Sequence, residues 1–212
     1  MKKIFTPIAI LFCSLAAMAQ TPEEIVNRME KTLEEHEDEG IIMTIETKMP
    51  LVGTIALKTY TLGDKMRSEG KLMGIDVIIF SDGVTEWTYT SKNNKITIED
   101  ESPSSDSSEG GDEEMFFGIT DDFDVTLTKE TADAWYLTCK KSKNCTDPDV
   151  PKTMDLVVSK GTYYPKLLKA KISGVSVAMR DVSFGVKEDY VTFRLSDYPG
   201  AKVEDNRGKS KK

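Results

Sequence analysis

The sequence predicts an α+β fold: one N-terminal helix, then an antiparallel sheet of about eleven strands whose apolar face needs a cover. Three observations carry this. A capped, amphipathic segment comes first. From Gly40 onward, alternation of period two replaces helical spacing. Gly, Asn and Asp recur at short intervals between the alternating runs, as in a meander of tight turns.

The chain has 212 residues. Met1-Lys2-Lys3 is a basic head, Ile4 to Ala17 an apolar run, and Ala17-Met18-Ala19 a small-x-small end. Residues 1–19 therefore read as a cleavable secretory signal. Pro7 shortens the run below the roughly 20 residues of a spanning helix. Cys13 follows Ile10-Leu11-Phe12 and lacks the small residue that a lipidation site needs. Residues 20–212 suit a single domain. The formal charge of −8 becomes −10 once Lys2 and Lys3 leave with the signal. That balance excludes nucleic acid as a partner, because phosphates demand a basic footprint. It also disfavours an electrostatic hold on anionic membranes.

Thr21-Pro22-Glu23-Glu24 is a helix start, with Thr21 as cap, Pro22 at the first position and Glu24 able to close a capping box. Ile25, Val26, Met29 and Leu33 then form one apolar stripe. The helix should fade near Glu39-Gly40. His36, among Glu34, Glu35, Glu37 and Asp38, reads as a solvated side chain.

Strand signals follow. Ile41, Met43 and Ile45 alternate, as do Ile55 and Leu57, then Met66 and Ser68. Ile75, Val77 and Ile79 alternate with Asp76, Ile78 and Phe80. Trp87 and Tyr89 lead to the turn Asn93-Asn94, with Ile96 and Ile98 beyond it. Later candidates are Phe123 to Leu127, Ala134 to Leu137, Met154 to Val158, Lys166 to Ile172, Val175 to Phe184 and Tyr190 to Leu195. Glu99 to Glu114 interrupts the pattern. It is acidic, rich in Ser and Gly, and too poor in apolar residues to offset its ordering entropy, so 99–114 reads as a mobile loop within the domain. Its carboxylates suit Ca²⁺, yet EF-hand spacing is missing.

Cys139 and Cys145 are spaced to close a hairpin loop, and an exported compartment permits a structural disulfide; two free thiols are the alternative. No CxxC pair or second histidine supports a metal or redox site. One histidine leaves no partner set for a serine or cysteine triad, and no glycine-rich phosphate loop is present. The expectation is a protein without catalytic residues, cofactor or metal. Methionine stands out instead: of ten, Met1 and Met18 belong to the signal and eight remain. Methionine adapts to irregular apolar partners, and on a sheet with one covering helix the set hints at a pocket for acyl chains.

Phe80-Ser81-Asp82-Gly83-Val84-Thr85-Glu86-Trp87-Thr88-Tyr89 resembles a segment of the LolA family of periplasmic lipoprotein carriers, in which a strand ends in Ser-Asp-Gly and Trp-x-Tyr opens the next. The tail from Asp189 to Val203, ending Pro199-Gly200-Ala201-Lys202-Val203, is similar to that family's closing strand and Pro-x-Gly-x-x-Val ending, one residue shorter. Tyr164-Pro165-Lys166 resembles a late strand start, and the helix-first order agrees. The resemblance implies an incomplete antiparallel β-barrel, a curved sheet covered by the N-terminal helix and a short lid. The lid material here is Met115-Phe116-Phe117-Gly118-Ile119. Two departures stand out. The family's Arg-Pro pair falls at Leu62-Gly63, with Arg67 nearby, and the family's lid helices fall where this chain has its acidic loop.

The implied function is a periplasmic carrier of lipid or lipoprotein acyl chains, with an inner-membrane release complex and an outer-membrane acceptor as partners. An envelope-stress sensor or lipid-binding regulatory domain on the same fold is the alternative, and a carboxylate hydrolase a more distant one. Alternation nominates the cavity wall: Met29 and Leu33 on the helix, over Met43, Ile45, Ile55, Leu57, Met66, Val77 and Trp87 on the concave side of the sheet.

Overall fold

A computed structural model describes residues 20–49, 53–101, 116–148, 150–172 and 174–209. The signal segment lies outside the described residues, as do 102–114 of the acidic loop and Met115 of the expected lid. Its first residues, Glu99 and Asp100, belong to a strand.

Helix α1 spans Pro22–Glu34. The Thr21 hydroxyl accepts the Glu24 N–H at 3.2 Å, and the Glu24 carboxylate accepts the Thr21 N–H at 2.9 Å. This reciprocal box satisfies two orphan donors of the first turn. Ile25, Val26, Met29 and Leu33 are all buried, as their spacing predicts. A 3-10 turn at Glu37–Glu39 ends at Gly40, whose φ is 70°. A Cβ there would sit 2.4 Å from the Thr61 carbonyl oxygen, so the passage from helix to sheet needs glycine.

Twelve strands follow: β1 (Ile41–Met49), β2 (Gly53–Leu62), β3 (Lys65–Leu72), β4 (Ile75–Ser81), β5 (Thr85–Thr90), β6 (Lys95–Asp100), β7 (Phe123–Glu130), β8 (Ala134–Lys141), β9 (Thr153–Ser159), β10 (Pro165–Ile172), β11 (Val175–Phe184) and β12 (Lys202–Asp205). Short helices α2 (Ile119–Asp122) and α3 (Glu188–Val191) precede β7 and β12. The strands form one sheet in the order β12-β6-β5-β4-β3-β2-β1-β11-β10-β9-β8-β7. All neighbours are antiparallel except β12 with β6. The sheet does not close: β7 and β12 are its two ends. No helix among the described residues is long and apolar enough to cross a membrane.

Two expectations change. The closing strand is Lys202–Asp205, and Tyr190 to Leu195 is not a strand but the end of α3 and the loop after it. Of its alternating apolar residues, Val191 is buried and Phe193 stacks on Trp87, while Leu195 is exposed. The edge of β6 is taken by β12. The predicted lid also differs. Phe116 and Ile119 are 1% and 2% exposed and belong to the core with α1. The Ile119 N–H donates to Glu30 Oε1 at 3.0 Å, and the Thr120 hydroxyl to Asn27 Oδ1 at 3.2 Å, which fastens this segment to the helix.

Candidate functional site

Residues directly opposite in a ladder share a face. One apolar row therefore crosses most of the sheet. Leu127 faces Leu137, which faces Leu156, then Leu168, Met179, Ile45 and Leu57. Beyond Leu57 come Gly70 and Val77. Helix α1 packs over β7 and β9, so it covers only one end of this row. The buried cluster under it includes Met29, Leu33, Met43, Leu137, Leu156, Leu168 and Met179.

The structure thus divides the sequence-nominated wall into three groups. Met29, Leu33 and Met43 are core, at 0%, 1% and 0% exposure. Ile45 packs on the edge of that core. Ile55, Leu57, Met66 and Val77 lie on the same face beyond the helix, half-buried and outside the core cluster. Ile75 and Ile79 join them, because they alternate with Val77 on β4 and face Leu72 and Ser68. The alternation of β4 was visible in the sequence and should have nominated both.

From β2 to β4 this face carries only apolar, glycine and hydroxyl-bearing side chains. Leu57 lies across Gly70: a Cβ on Gly70 would meet Leu57 Cδ2 at 2.8 Å and the Ala56 carbonyl oxygen at 2.4 Å. Thr59 and Ser68, both buried, bond each other through their hydroxyls at 2.9 Å and so need no water. Polarity returns on β5, where Glu86 faces Ser81 and accepts the Thr88 hydroxyl at 3.0 Å. The strip is a half-covered surface of one chemistry, bounded by the core on one side and by carboxylate and threonine on the other.

Trp87 is a correction. It faces Phe80, on the opposite side of the sheet from Val77 and Ile79. Its ring stacks on Phe193, with centroids 5.1 Å apart and planes 10° from parallel. Tyr198 stacks on Phe193 in turn and tilts against Tyr89 at 4.6 Å. The chain after β11 therefore straps the far face, and Trp87 is its anchor. The nomination failed because β5 alternates Trp87 and Tyr89 against Glu86 and Thr88, and its more apolar face is the one under the strap. Replacing Phe193 with Ala should cost about 1–3 kcal/mol, by loss of this half-buried stacking. A red-shifted Trp87 emission and a lower Tm would register it; unchanged emission would show that the strap does not rest on Trp87.

Arg67 also belongs to the far face. Its guanidinium lies 4.2 Å from the Tyr190 ring centroid and 5.2 Å from that of Phe80, and pairs with Glu69 at 2.8 Å. Glu69 Oε1 accepts from the hydroxyls of Tyr60 and Tyr190 at 3.3 and 3.1 Å. Burial first, then hydrogen bonding to Tyr60 and Glu69, pushes the Tyr190 phenol up to about 12 against the nearby Arg67 charge. Arg67 is thus committed to holding α3, which removes it from any role at the apolar strip.

His36 is not a solvated side chain. Nδ1 lies 2.6 Å from Glu39 Oε1, Nε2 lies 3.2 Å from the Tyr164 hydroxyl, and the ring stacks on Phe184 at 4.7 Å. It ties the end of α1 to the sheet. Among the described residues no group of three or more His, Cys, Asp or Glu is placed to hold a metal. A recess of about 410 Å³ lies by the β2–β3 turn, lined by Glu37, Asp38, Leu62, Gly63, Lys65 and Glu188. Lys65 pairs with Glu188 across it at 2.6 Å, and its charge makes it unfit for an acyl chain.

The cysteines are a further correction: Cys139 and Cys145 are not joined. Cys139 points into the core from β8, opposite Met154, at 0% exposure. Cys145 lies in the loop beyond, hydrogen-bonded to the Asp122 side chain. Six residues of separation permitted a loop closure, but Cys139 is buried in the core while Cys145 is half-exposed in the loop. Burial foremost, with the Asp155 charge behind it, pushes the Cys139 thiol up to about 12. Alkylation of the folded protein at mildly alkaline pH should therefore modify Cys145 and leave Cys139 until denaturant is added. Labelling that requires a reductant at both positions would restore the disulfide.

No family model matches the chain, and no curated protein matches it. Solved structures match it at a distance. An uncharacterised conserved protein from Thermus thermophilus is 17% identical, covering 88% of this chain and 99% of its own, with a TM-score of 0.45. The lipoprotein LppX of Mycobacterium tuberculosis is 10% identical over 77% of this chain and 95% of its own, with a TM-score of 0.48. A LolA superfamily protein from Nitrosomonas europaea is 11% identical over 84% of this chain and all of its own (100%), with a TM-score of 0.34. At these values the chain is similar to them as a distant fold match, and the likeness decides nothing about cargo.

Proposed function

We propose that the exported chain binds acyl chains of a lipid or lipoprotein along β2–β4 of the helix-bearing face and carries them through the periplasm. The observation that supports this is the division of one apolar row. Its β7–β1 end is sealed under α1, whereas Ile55, Leu57, Met66, Ile75, Val77 and Ile79 remain half-covered on a surface with no charged side chain. A protein with a net negative charge gains nothing from leaving such a strip open unless something apolar occupies it. Each methylene withdrawn from water contributes about 0.8 kcal/mol. An open strip holds a chain strongly enough to carry it and releases it without breaking a core. The mechanism is binding alone and uses no catalytic group or cofactor. An inner-membrane release complex and an outer-membrane acceptor are the partners that such a carrier requires.

The test is mass spectrometry of lipid extracted from protein purified without detergent, paired with titration by a fluorescent fatty acid. Co-purified acyl lipid and saturable binding are expected. Lipid-free protein that also ignores the probe would remove this reading.

A further inference from the structure

We propose that the β3–β4 hairpin tip and the lysines around it form a surface that docks on an anionic lipid bilayer. The tip is a two-residue turn between Leu72 and Ile75, which face each other. Met73 has φ 51° and Gly74 φ 84°. A turn of this hand favours Asn or Gly at its first position, and a long apolar side chain is disfavoured there. The chain nevertheless places methionine at that point and exposes 85% of it, next to Leu72 at 40%. Neither exposure serves the core. Leu72 stands on the same face as Ile75 and Val77, so the exposed tip continues the acyl-binding strip to the end of the molecule.

The surroundings are basic although the protein is acidic. Extending the β2–β3 register sets Met73 level with Thr54, and Thr54 faces Lys48. Lys48 in turn faces Ser176, and Ser176 faces Lys171. On the other flank, the Asp76 N–H donates to Ser91 Oγ at 3.0 Å, which seats the turn bearing Lys92 beside the hairpin. Lys48, Lys71, Lys92 and Lys171 are all exposed, and of these Lys71 pairs with Asp76 at 3.0 Å. The opposite ends of the same strands lead to Asp38, Asp64, Asp82 and Glu188. Lys65, paired with Glu188, and Lys187 lie at that acidic end too, yet charge is separated along the strands. The net value conceals a basic edge beside the apolar tip, with Lys48, Lys71 and Lys171 on the face opposite Leu72. Apolar residues that enter the interface, with lysines on the headgroups, are the pairing by which a soluble domain holds an anionic membrane. This surface would bring the open end of the strip to the lipid it loads from or delivers to.

The probe is flotation of the protein in its exported form with vesicles of phosphatidylcholine, with and without phosphatidylglycerol. Binding is expected only with phosphatidylglycerol, weakening as salt rises. L72S/M73S should weaken it roughly tenfold or more, and K92E/K171E should do the same while leaving the hairpin intact. Wild-type protein that stays free of anionic vesicles, or either variant binding as wild type does, overturns the proposal. Fatty-acid binding in solution reads the strip separately. In the wild-type protein, vesicle binding absent with fatty-acid binding present tells against the docking surface alone, and the reverse tells against the acyl strip alone.

Discussion

Replacing Leu57 with Glu is expected to leave the protein folded while acyl-chain binding falls at least about tenfold, because a charge would have to lose its water against each bound chain. Leu57 is half-buried at the centre of the open strip, across Gly70 and beside Ile45. Without ligand, water reaches the new carboxylate, so the folded state loses little. Circular dichroism and a fatty-acid titration of the same preparation separate the two effects. A variant that unfolds would place Leu57 in a sealed core. One that folds and binds as wild type does would place the ligand elsewhere.

The same reasoning gives the opposite result under the helix. Met43 sits on the same face of the sheet but is 0% exposed, within the cluster that α1 covers. Met43→Ala should cost about 2–5 kcal/mol, the transfer loss plus a cavity that close-packed neighbours fill only in part. Folded domains hold about 5–15 kcal/mol in all, so this is a large fraction. Denaturant unfolding should show a lower midpoint at unchanged slope, and fatty-acid affinity at low temperature should hold. Equal losses for Met43→Ala and Leu57→Ala would mean that the division between sealed and open halves is not real.

Much of the fold was legible because it is local. The capping box at Thr21-Glu24, the apolar stripe of α1 and the alternation of β1 to β4 follow from periodicity within single segments. The assignment of faces was legible only in part. Alternation says which residues share a side of one strand, not which side meets the helix; only register across strands decides that. Trp87 was misplaced for this reason, since the more apolar face of β5 is buried by a strap from residues more than a hundred positions later. Met29, Leu33 and Met43 were nominated as cavity wall and instead lie in the core, because sequence does not say where a 13-residue helix stops covering a sheet. Arg67 and His36 carried no local signal, because their partners Tyr190 and Tyr164 are distant in sequence. The free cysteines show the limit of spacing: the loop was short enough to close, yet one thiol is buried in the core and the other half-exposed in the loop.

Photo-crosslinking with a diazirine-bearing fatty acid tests the central claim most directly. After irradiation and digestion, the label should map to β2, β3 and β4, on peptides carrying Ile55, Leu57, Val77 and Ile79, and should vanish with excess unlabelled fatty acid. Label concentrated on α1, on the strap around Phe193, or spread without competition would contradict an acyl-binding strip on the open half of the sheet.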